Sequence, residues 1–572
     1  MKNNGPMLNA YPDSLGGTLS DLVSFLEKDE LKNTFQSIYL LPSIFNTDLD
    51  RGFSVIDYSL NQVLASQADL DAIKKLGIDL KLDFILNHAS VLSPQFQDIL
   101  EHGEASKYRD FFIDWNEFWK GFGKMTEDGY IQPGAELIQD MFFRKPGLPI
   151  LMVRFPDGSN VPYWNTFYQE VRYPTIDAQD VMRLTQLQYG LSDAIAKYTN
   201  ETMAQGEKAT NLSFEHLFRT EDSKAAATVK DAIVNYLEEN RKYLGQMDLN
   251  VKSPLVWEFY EDTLKKLSDY GAKIVRLDAF AYASKEVGEK NFLNEPGTWD
   301  ILQRLHDLAE RYHLKLLPEI HASYDKKNYE QISEKGYMTY DFFLPGLILD
   351  GLEYGTSEYL AAWAKELIEK KIQVVNMLGC HDGIPLLDLK GMLPEERIQS
   401  IIDTVVKRGG YVKNLHGQKN LYYQVNATYY SALGEDDRKM LLARAIQLFM
   451  PGKPQIWYLD LFAGKNDHEA VKRAGAGGHK EINRTNLNVT QMEEGLTAPI
   501  VLKQLDLLRF RATNPAFDSE ADIQVQSNGP KLMITWNYEG YSACLNSNLE
   551  TFFYSIVTTT PDDVQKALFT QA

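Results

Sequence analysis

The segment Lys273-Ile274-Val275-Arg276-Leu277-Asp278 is a short apolar run that carries two charged side chains at its end. Residues two apart on a strand lie on the same face, so Arg276 and Asp278 point to one side. Seven similar apolar runs are separated by amphipathic helical patterns, and the eight predicted strands are 7–10, 37–41, 80–86, 273–277, 315–317, 339–342, 374–378 and 455–458. Such an α/β alternation favours a parallel sheet closed into a (β/α)8 TIM barrel. An open doubly wound sheet remains the alternative.

Two gaps between predicted strands are too long for ordinary connecting loops and therefore predict insertions. The first, 88–252, is expected to be an inserted domain with an extra helical segment, 172–245, that shows two helical patterns. The second, 384–437, is expected to be a smaller acceptor-loop subdomain. Loops after barrel strands form the face where chemistry occurs, so both insertions should overhang the active site.

The chain changes its pattern after Pro515. Apolar residues alternate on both sides of the turn Asn528-Gly529, which predicts a C-terminal antiparallel β domain over 516–572. The catalytic barrel is then assembled from 1–87, 253–383 and 438–515.

Composition excludes several classes of function. The 572 residues carry a net charge of −20, which repels nucleic-acid phosphates and anionic lipid. No apolar run reaches the about 18 residues that a membrane span needs, and no signal-peptide pattern is present at the N-terminus. Two cysteines cannot form a disulfide framework. These features predict a soluble, cytoplasmic, acidic protein that binds neither nucleic acid nor membrane.

The sharpest chemical features are carboxyl groups at the ends of apolar strands. Arg276 is expected to lower the pKa of Asp278, and an ionised carboxylate is what a nucleophile toward a sugar requires. Pro318 should end the next strand, so that Glu319 points into the barrel mouth. Apolar neighbours are expected to raise the pKa of Glu319, as a general acid needs.

Two further polar clusters, Leu86-Asn87-His88 and Cys380-His381-Asp382, follow other strands. A single aspartate after a strand is more often a helix cap, and a single histidine more often a packed residue. Four clusters at successive strand ends instead favour a carboxylate-dependent barrel enzyme. Zinc-type spacings, calcium-loop spacings and nucleotide-binding glycine motifs are absent from the sequence, so no metal and no cofactor is expected.

In order and spacing, Leu86-Asn87-His88, Val275-Arg276-Leu277-Asp278, Pro318-Glu319-Ile320-His321 and Cys380-His381-Asp382-Gly383 resemble the conserved regions of the α-amylase superfamily of glycoside hydrolases (glycoside hydrolase family 13). Segments 424–434, 462–467 and 481–484 further resemble its sucrose phosphorylase subfamily, which includes the sucrose 6-phosphate phosphorylases. The similarity covers nearly the whole chain except 172–245. It implies retaining transfer of a glucosyl group from sucrose to inorganic phosphate, giving α-glucose 1-phosphate and fructose.

The resemblance also implies residue roles. Asp278 would be the nucleophile, Glu319 the acid/base, and Asp382 the carboxylate that binds the 2- and 3-hydroxyls of the sugar. Asp50 and Arg484 would close the far end of the glucose site. Other implied substrate-binding residues are Phe53, His88, Phe167, Gln246, Arg276, Tyr282, His321, His381 and Gln424.

One acceptor loop departs from the family pattern. Sucrose phosphorylases usually show Arg-Pro-Arg-Pro-Gly, whereas this chain has Phe143-Arg144-Lys145-Pro146-Gly147. A charged residue in place of proline favours a second phosphate site, although lysines in a loop are commonly only solvated. The expected phosphate and acceptor residues are Arg144, Lys145, Lys413, His416, Lys419 and Tyr423.

Several donors and activities therefore stay open. Sucrose is the first, sucrose 6-phosphate the second, and a glucosylglycerol or glucosylglycerate the third. A hydrolase or transglucosidase, and a barrel that binds carbohydrate without catalysis, are the remaining alternatives. A homodimer is possible on the sequence evidence.

Overall fold

The computed structural model describes residues 4–143, 147–218, 222–414, 422–475, 478–562 and 564–571. Its centre is an eight-stranded parallel sheet in which strands pair in chain order and the last pairs with the first. No hydrogen-bonded pair joins β5 to β6 in the described residues, so the barrel is nearly closed. The strands are β1 (Met7–Ala10), β2 (Ser37–Leu40), β3 (Asp79–Ile85), β4 (Ala272–Asp278), β5 (Lys315–Pro318), β6 (Thr339–Asp341), β7 (Val374–Met377) and β8 (Lys453–Trp457). The predicted TIM barrel is confirmed.

Helices cover the outside of this barrel. Two of them start where the sequence provides a capping box, at Thr18 with Asp21 and at Ser66 with Asp69. Several others begin at a proline, which suits the first helical turn. The main barrel helices are Leu19–Leu26, Gln67–Lys75, Pro254–Asp269, Gly297–Arg311, Asn328–Glu334, Leu344–Tyr354, Glu358–Glu369, Asp437–Phe449 and Pro499–Thr513.

The insertion between β3 and β4 contains short strands, short helices and a separate helical unit. Its strands are His88–Ser90, Gly123–Met125, Ile131–Pro133, Ile150–Arg154, Asn160–Trp164, Gln169–Arg172 and Lys242–Asp248, and its first helices are Pro94–His102, Trp115–Phe118 and Ala135–Ile138. The strand Lys242–Asp248 returns the chain to the barrel by pairing with His88–Ser90.

The extra segment has three helices rather than the two that the sequence patterns predict. Ala178–Thr185 and Tyr189–Ala204 are separated at Gln186, whose φ of +60° is left-handed and ends the first helix. The third helix is Ser223–Glu239. Val181, Ile195 and Ile233 pack together in a core separate from that of the barrel. The three helices therefore form a small unit with a hydrophobic core of its own.

The insertion between β7 and β8 has strands Ile384–Pro385, Tyr411–Asn414 and Tyr422–Asn426 and helices Glu395–Lys407 and Tyr429–Ala432. The chain ends in an antiparallel sheet of β9 (Asp522–Asn528), β10 (Lys531–Tyr538), β11 (Tyr541–Asn548), β12 (Phe553–Thr559) and β13 (Gln565–Gln571). The predicted turn joins β9 to β10. Among the described residues, no helix is long and apolar enough to cross a membrane. The bounds of the six segments proposed from the sequence stay predictions.

Trp536 joins the terminal sheet to the barrel. It is 2% exposed, its indole N–H donates to the Phe449 carbonyl at 2.7 Å, and the Arg511 guanidinium lies 4.5 Å from its ring. Trp536→Ala should therefore lower the free energy of unfolding by about 3–5 kcal/mol. Thermal or denaturant unfolding measures this. Phe553→Ala, on the half-exposed outer face of the same sheet, is the control, and equal losses from the two variants would contradict this packing account.

Candidate active site

A cavity of about 900 Å³ opens where the barrel strands end. Pro318 ends β5 as predicted, and Glu319 follows it into the cavity. Most sugar-site residues predicted from the sequence line this one cavity, although they come from segments far apart in the chain. They are Asp50, Phe53, His88, Phe167, Gln246, Asp278, Tyr282, Glu319, His321, His381, Asp382, Gln424 and Arg484.

Arg276 forms the floor beneath the predicted catalytic carboxyl groups and is 3% exposed. Its Nη1 donates to Asp278 Oδ1 and to Asp83 Oδ1, both at 2.7 Å, and its Nη2 lies 3.5 Å from Glu319 Oε1. One guanidinium thus holds Asp278 and Glu319 in neighbouring positions. Asp83 was missed by sequence reasoning, because it lies inside an apolar run on β3 and only the three-dimensional pairing of β3 with β4 brings it to Arg276.

Both pKa directions expected from the sequence are wrong for the free site. Burial raises the pKa of Asp278 to about 7, since Arg276 opposes it but Glu319 and Asp83 add to it. Burial alone would raise the pKa of Glu319 as well, but Arg276 and His321 outweigh it and lower the pKa to about 2. In the sequence, Arg276 stands beside Asp278 alone, whereas in the fold Arg276 contacts three carboxyl groups and His321 contacts Glu319.

His321 lies between two carboxylates. Its Nε2 is 3.1 Å from Glu319 Oε1, its Nδ1 is 3.5 Å from Asp388 Oδ1, and its ring stacks on Phe342 at 3.8 Å between centroids. Asp388 is 4% exposed and belongs to the short helix Leu387–Leu389 in the second insertion. No pattern in the sequence pointed to Asp388.

Asp382 is contacted on both of its oxygens, by a lysine on one and by a histidine on the other. Lys480 Nζ lies 2.6 Å from Oδ1, and His381 Nε2 lies 3.2 Å from Oδ2. Burial opposes ionisation, but these neighbours and Arg484 lower the pKa of Asp382 well below its ordinary value. Lys480 was also missed; it lies four residues before Arg484, in the short helix Gly478–Asn483, and only that local geometry turns it toward the cavity.

Asp50 and Arg484 meet at the far end of the cavity, with Asp50 Oδ1 3.6 Å from Arg484 Nη1. Asp50 and Arg51 have φ of +47° and +52°, a strained turn for residues other than glycine. Gly52 follows with φ +123°, and a Cβ there would lie 2.3 Å from the Ser43 backbone nitrogen, so glycine is required. This turn places the Asp50 carboxylate next to the Arg484 guanidinium.

Aromatic rings flank the carboxylates. Phe53 stacks on His381 at 4.9 Å, and Phe167 lies 4.8 Å from His88 and 5.3 Å from Tyr282. Such faces suit the apolar sides of a sugar ring.

His88 is a neutral polar group of the same wall. Burial lowers its pKa to about 4, so its ring is uncharged near neutral pH. Its Nε2 lies 3.0 Å from the Phe53 carbonyl, which also accepts from Gln246 Nε2 at 2.9 Å.

One group of potential metal ligands occurs among the described residues, Cys380, His381 and Asp382. Burial raises the pKa of Cys380 to about 12, so its thiol stays protonated. His381 and Lys480 already contact the two oxygens of Asp382. This cluster therefore fits a sugar-hydroxyl site better than a metal site.

The predicted acceptor residues cannot be placed. Arg144, Lys145, His416 and Lys419 lie outside the described residues, and so do the side chains of Lys413 and Tyr423. Phe142, two residues before Arg144, lines the cavity.

The barrel and its three carboxyl groups define the class of protein, an α-amylase-type barrel enzyme. The fold is shared with α-amylase from H. orenii, at 15% identity and a TM-score of 0.57 over 96% of this chain and 90% of that one. No family model matches the chain.

Curated relatives narrow the class. The chain is 50% identical to the sucrose 6(F)-phosphate phosphorylase of Ilumatobacter coccineus, over 97% of this chain and 95% of that protein. It is 31% identical to the sucrose phosphorylase of Streptococcus mutans serotype c, over 92% and 90% of the two chains. The crystal structure of sucrose 6F-phosphate phosphorylase from Thermoanaerobacter thermosaccharolyticum matches with 30% identity and a TM-score of 0.79, over 100% and 98%. The chain belongs to the sucrose phosphorylase subfamily of the α-amylase superfamily.

The carboxyl groups around Arg276 predict how the activity of the enzyme depends on pH. The charge of Asp83 raises the pKa of Asp278, so Asp83→Asn should lower that pKa. If Asp278 acts as an ionised group, the acidic limb of kcat/KM for the donor then moves to lower pH. A pH–rate profile measures this, with Asp71→Asn on an exposed helix face as the control. An acidic limb that stays in place or moves upward would count against Asp83 as the cause.

The contact of Lys480 with Asp382 predicts a loss of activity. Lys480→Met removes a charge-assisted contact while keeping similar side-chain length, so kcat/KM for the glucosyl donor should fall roughly 10- to 100-fold. Lys472→Met, which changes a 71% exposed lysine on the preceding helix, should have no effect. Wild-type kinetics in Lys480→Met would show that the contact is dispensable.

Proposed function

We propose that the chain is a retaining glycoside phosphorylase that transfers a glucosyl group from sucrose to inorganic phosphate, giving α-glucose 1-phosphate and fructose. The observation that carries the proposal is the placement of Asp278 and Glu319 on one buried guanidinium, in a chain whose full-length relatives are named phosphorylases. Retaining enzymes need two carboxyl groups only about 5–5.5 Å apart, so that one can bond directly to the sugar.

In the first step, Asp278 attacks the anomeric carbon as the glycosidic bond breaks, and Glu319 protonates the departing fructosyl oxygen. This step needs an ionised Asp278 and a protonated Glu319, whereas in the free site Glu319 has the lower pKa of the two. His321 Nε2 lies 3.1 Å from Glu319 Oε1 and orients this carboxyl group. Asp382 would bind the 2- and 3-hydroxyls and stabilise the positive charge that develops on the ring.

In the second step, a phosphate oxygen bonds to the anomeric carbon while the ester bond to Asp278 breaks and its electron pair returns to the carboxylate. Two inversions give net retention, hence α-glucose 1-phosphate. Residues of this chain perform each of these steps, and no metal or cofactor enters the proposal.

A second donor, sucrose 6-phosphate with its phosphate on the fructosyl C6, is favoured by the 50% identity to a sucrose 6(F)-phosphate phosphorylase, against 31% to a sucrose phosphorylase. Arg144 stands where a proline is usual and offers a cation at that position of the loop for this phosphate. Relatives named glucosylglycerol and glucosylglycerate phosphorylases are 27% and 26% identical, which leaves these donors less favoured. The relatives that are at least 30% identical and were compared above are all named phosphorylases, which does not favour a hydrolase or transglucosidase.

We also infer the partners, the location and the oligomeric state of the enzyme. Its substrates are small molecules, and neither nucleic acid nor membrane is expected as a partner. A cytoplasmic location is supported by two free cysteines, Cys380 and Cys544, and a homodimer stays a prediction that analytical ultracentrifugation tests.

Donor preference is tested by measuring kcat/KM for sucrose and sucrose 6-phosphate side by side. If Arg144 binds the fructosyl phosphate, the phosphorylated donor is preferred and Arg144→Ala lowers that preference roughly 10- to 100-fold while activity on sucrose survives. Arg183→Ala, a 58% exposed arginine of the helical unit, is the matched control. A higher kcat/KM for sucrose than for sucrose 6-phosphate would support sucrose as the donor and reject sucrose 6-phosphate.

A further inference from the structure

The loop after β4, residues 279–296, contacts the first insertion beside the cavity. Asn291 lies in this loop and is 1% exposed. Its side-chain Oδ1 accepts from the Phe142 backbone N–H at 2.8 Å, and its Nδ2 donates to the Phe142 carbonyl at 2.9 Å. One amide side chain thus satisfies both backbone groups of Phe142, as a neighbouring strand would do.

The residues on each side of Phe142 point away from the cavity. Met141 and Phe143 pack into the apolar core of the first insertion, which includes Trp164, whereas Phe142 lines the cavity. Successive side chains of an extended segment point to opposite sides, so the course of the backbone decides whether the Phe142 ring faces the cavity. By binding that backbone, Asn291 holds the ring in the cavity wall.

Phe142 belongs to the outer part of the cavity. Its ring centroid lies 6.4 Å from that of Tyr282, which in turn lies 5.3 Å from that of Phe167. Exposure increases along this aromatic row, since His88 beside Phe167 is 3% exposed and Phe142 is 36% exposed. Charged pairs occupy the far end of the cavity, so the group that leaves the glucosyl unit must lie toward the opening, where Phe142 is.

We propose that Asn291 is a positioning residue that holds Phe142 as an aromatic wall for the fructosyl group, which leaves in the forward reaction and accepts the glucosyl group in the reverse reaction. An aromatic face suits the C–H groups of a sugar ring, and inorganic phosphate has no such groups. The pair therefore contributes to the use of the sugar acceptor and not to the use of phosphate. The inference rests on the proposed function, since it concerns the fructosyl group of that reaction.

Other contacts also join the loop to the insertion. Lys285 Nζ lies 2.8 Å from Asp248 Oδ2, and both side chains are buried. Val287 packs against the apolar core of the insertion. Because these contacts do not involve the amide of Asn291, its removal should displace Phe142 without separating the loop from the insertion.

The test compares two reactions of α-glucose 1-phosphate in Asn291→Ala. In the first, labelled phosphate exchanges into α-glucose 1-phosphate with no sugar acceptor present. In the second, the glucosyl group is transferred to fructose or fructose 6-phosphate, whichever the wild type uses with the higher kcat/KM. We expect kcat/KM for the sugar acceptor to fall roughly 10- to 100-fold, because a displaced wall misplaces the acceptor, and the exchange rate to stay within about two-fold of wild type. A merely structural role of Asn291 would lower both rates together.

Two further variants support the comparison. Phe142→Ala should show the same selective loss, and Asn291→Ala should add no further loss in that background, because both changes remove the same wall. Asn240→Ala is the matched control, since this exposed amide also donates to a backbone carbonyl, that of Tyr236 at 2.8 Å, but lies in the helical unit. Both of its rates should equal those of the wild type.

A folded Asn291→Ala variant with a wild-type kcat/KM for the sugar acceptor, or with equal losses in the two reactions, would overturn this inference and leave the proposed function standing. If Asn291→Ala loses its folded circular dichroism, Phe142→Ala decides, and wild-type use of the sugar acceptor there would reject the wall. A wild-type enzyme that forms no α-glucose 1-phosphate from sucrose or sucrose 6-phosphate would refute the proposed function itself.

Discussion

The buried guanidinium of Arg276 is the interaction on which the catalytic site depends. It contacts Asp83, Asp278 and Glu319, which come from three neighbouring strands of the barrel. Buried charges are stable only when they are paired and hydrogen-bonded, so the barrel must hold these groups in one arrangement. Because Arg276 contacts three carboxyl groups at once, its single positive charge cannot fully stabilise the ionised form of all three. The pKa values of Asp278 and Glu319 in the free site follow from this sharing and from the contact of His321 with Glu319.

The barrel and the three carboxyl groups could be predicted from the sequence because their signals are local. An apolar strand that ends in Arg276 and Asp278 shows its chemistry within six residues, and the strand bounds differ from prediction by only one or two residues. Asp83, Asp388 and Lys480 could not be found in this way. Each contacts a residue that is distant in the sequence or is oriented by a short turn. The pattern of apolar and polar residues does not indicate such contacts. The pKa directions of Asp278 and Glu319 failed for the same reason, since they depend on partners that only the fold supplies.

The charged groups of the cavity are distributed differently at its sugar end and on its acceptor side. At the sugar end, Asp50, Asp382, Lys480 and Arg484 pair with one another, which leaves a polar but nearly neutral surface suited to hydroxyl groups. On the acceptor side, His321 brings a positive charge next to Glu319. A donor that carries its own phosphate would need further cations beyond this histidine, and Arg144 and Lys145 are the sequence candidates for them.

A covalent glucosyl-enzyme on Asp278 can be detected by the exchange of phosphate between solution and α-glucose 1-phosphate. The enzyme is incubated with α-glucose 1-phosphate and isotopically labelled phosphate, with no fructose or fructose phosphate present. We expect the label to enter α-glucose 1-phosphate with the wild-type enzyme, and Asp278→Asn to lower the rate of exchange roughly 10⁴-fold or more. Exchange that persists in Asp278→Asn, or a wild type that phosphorolyses its donor without any exchange, would contradict it.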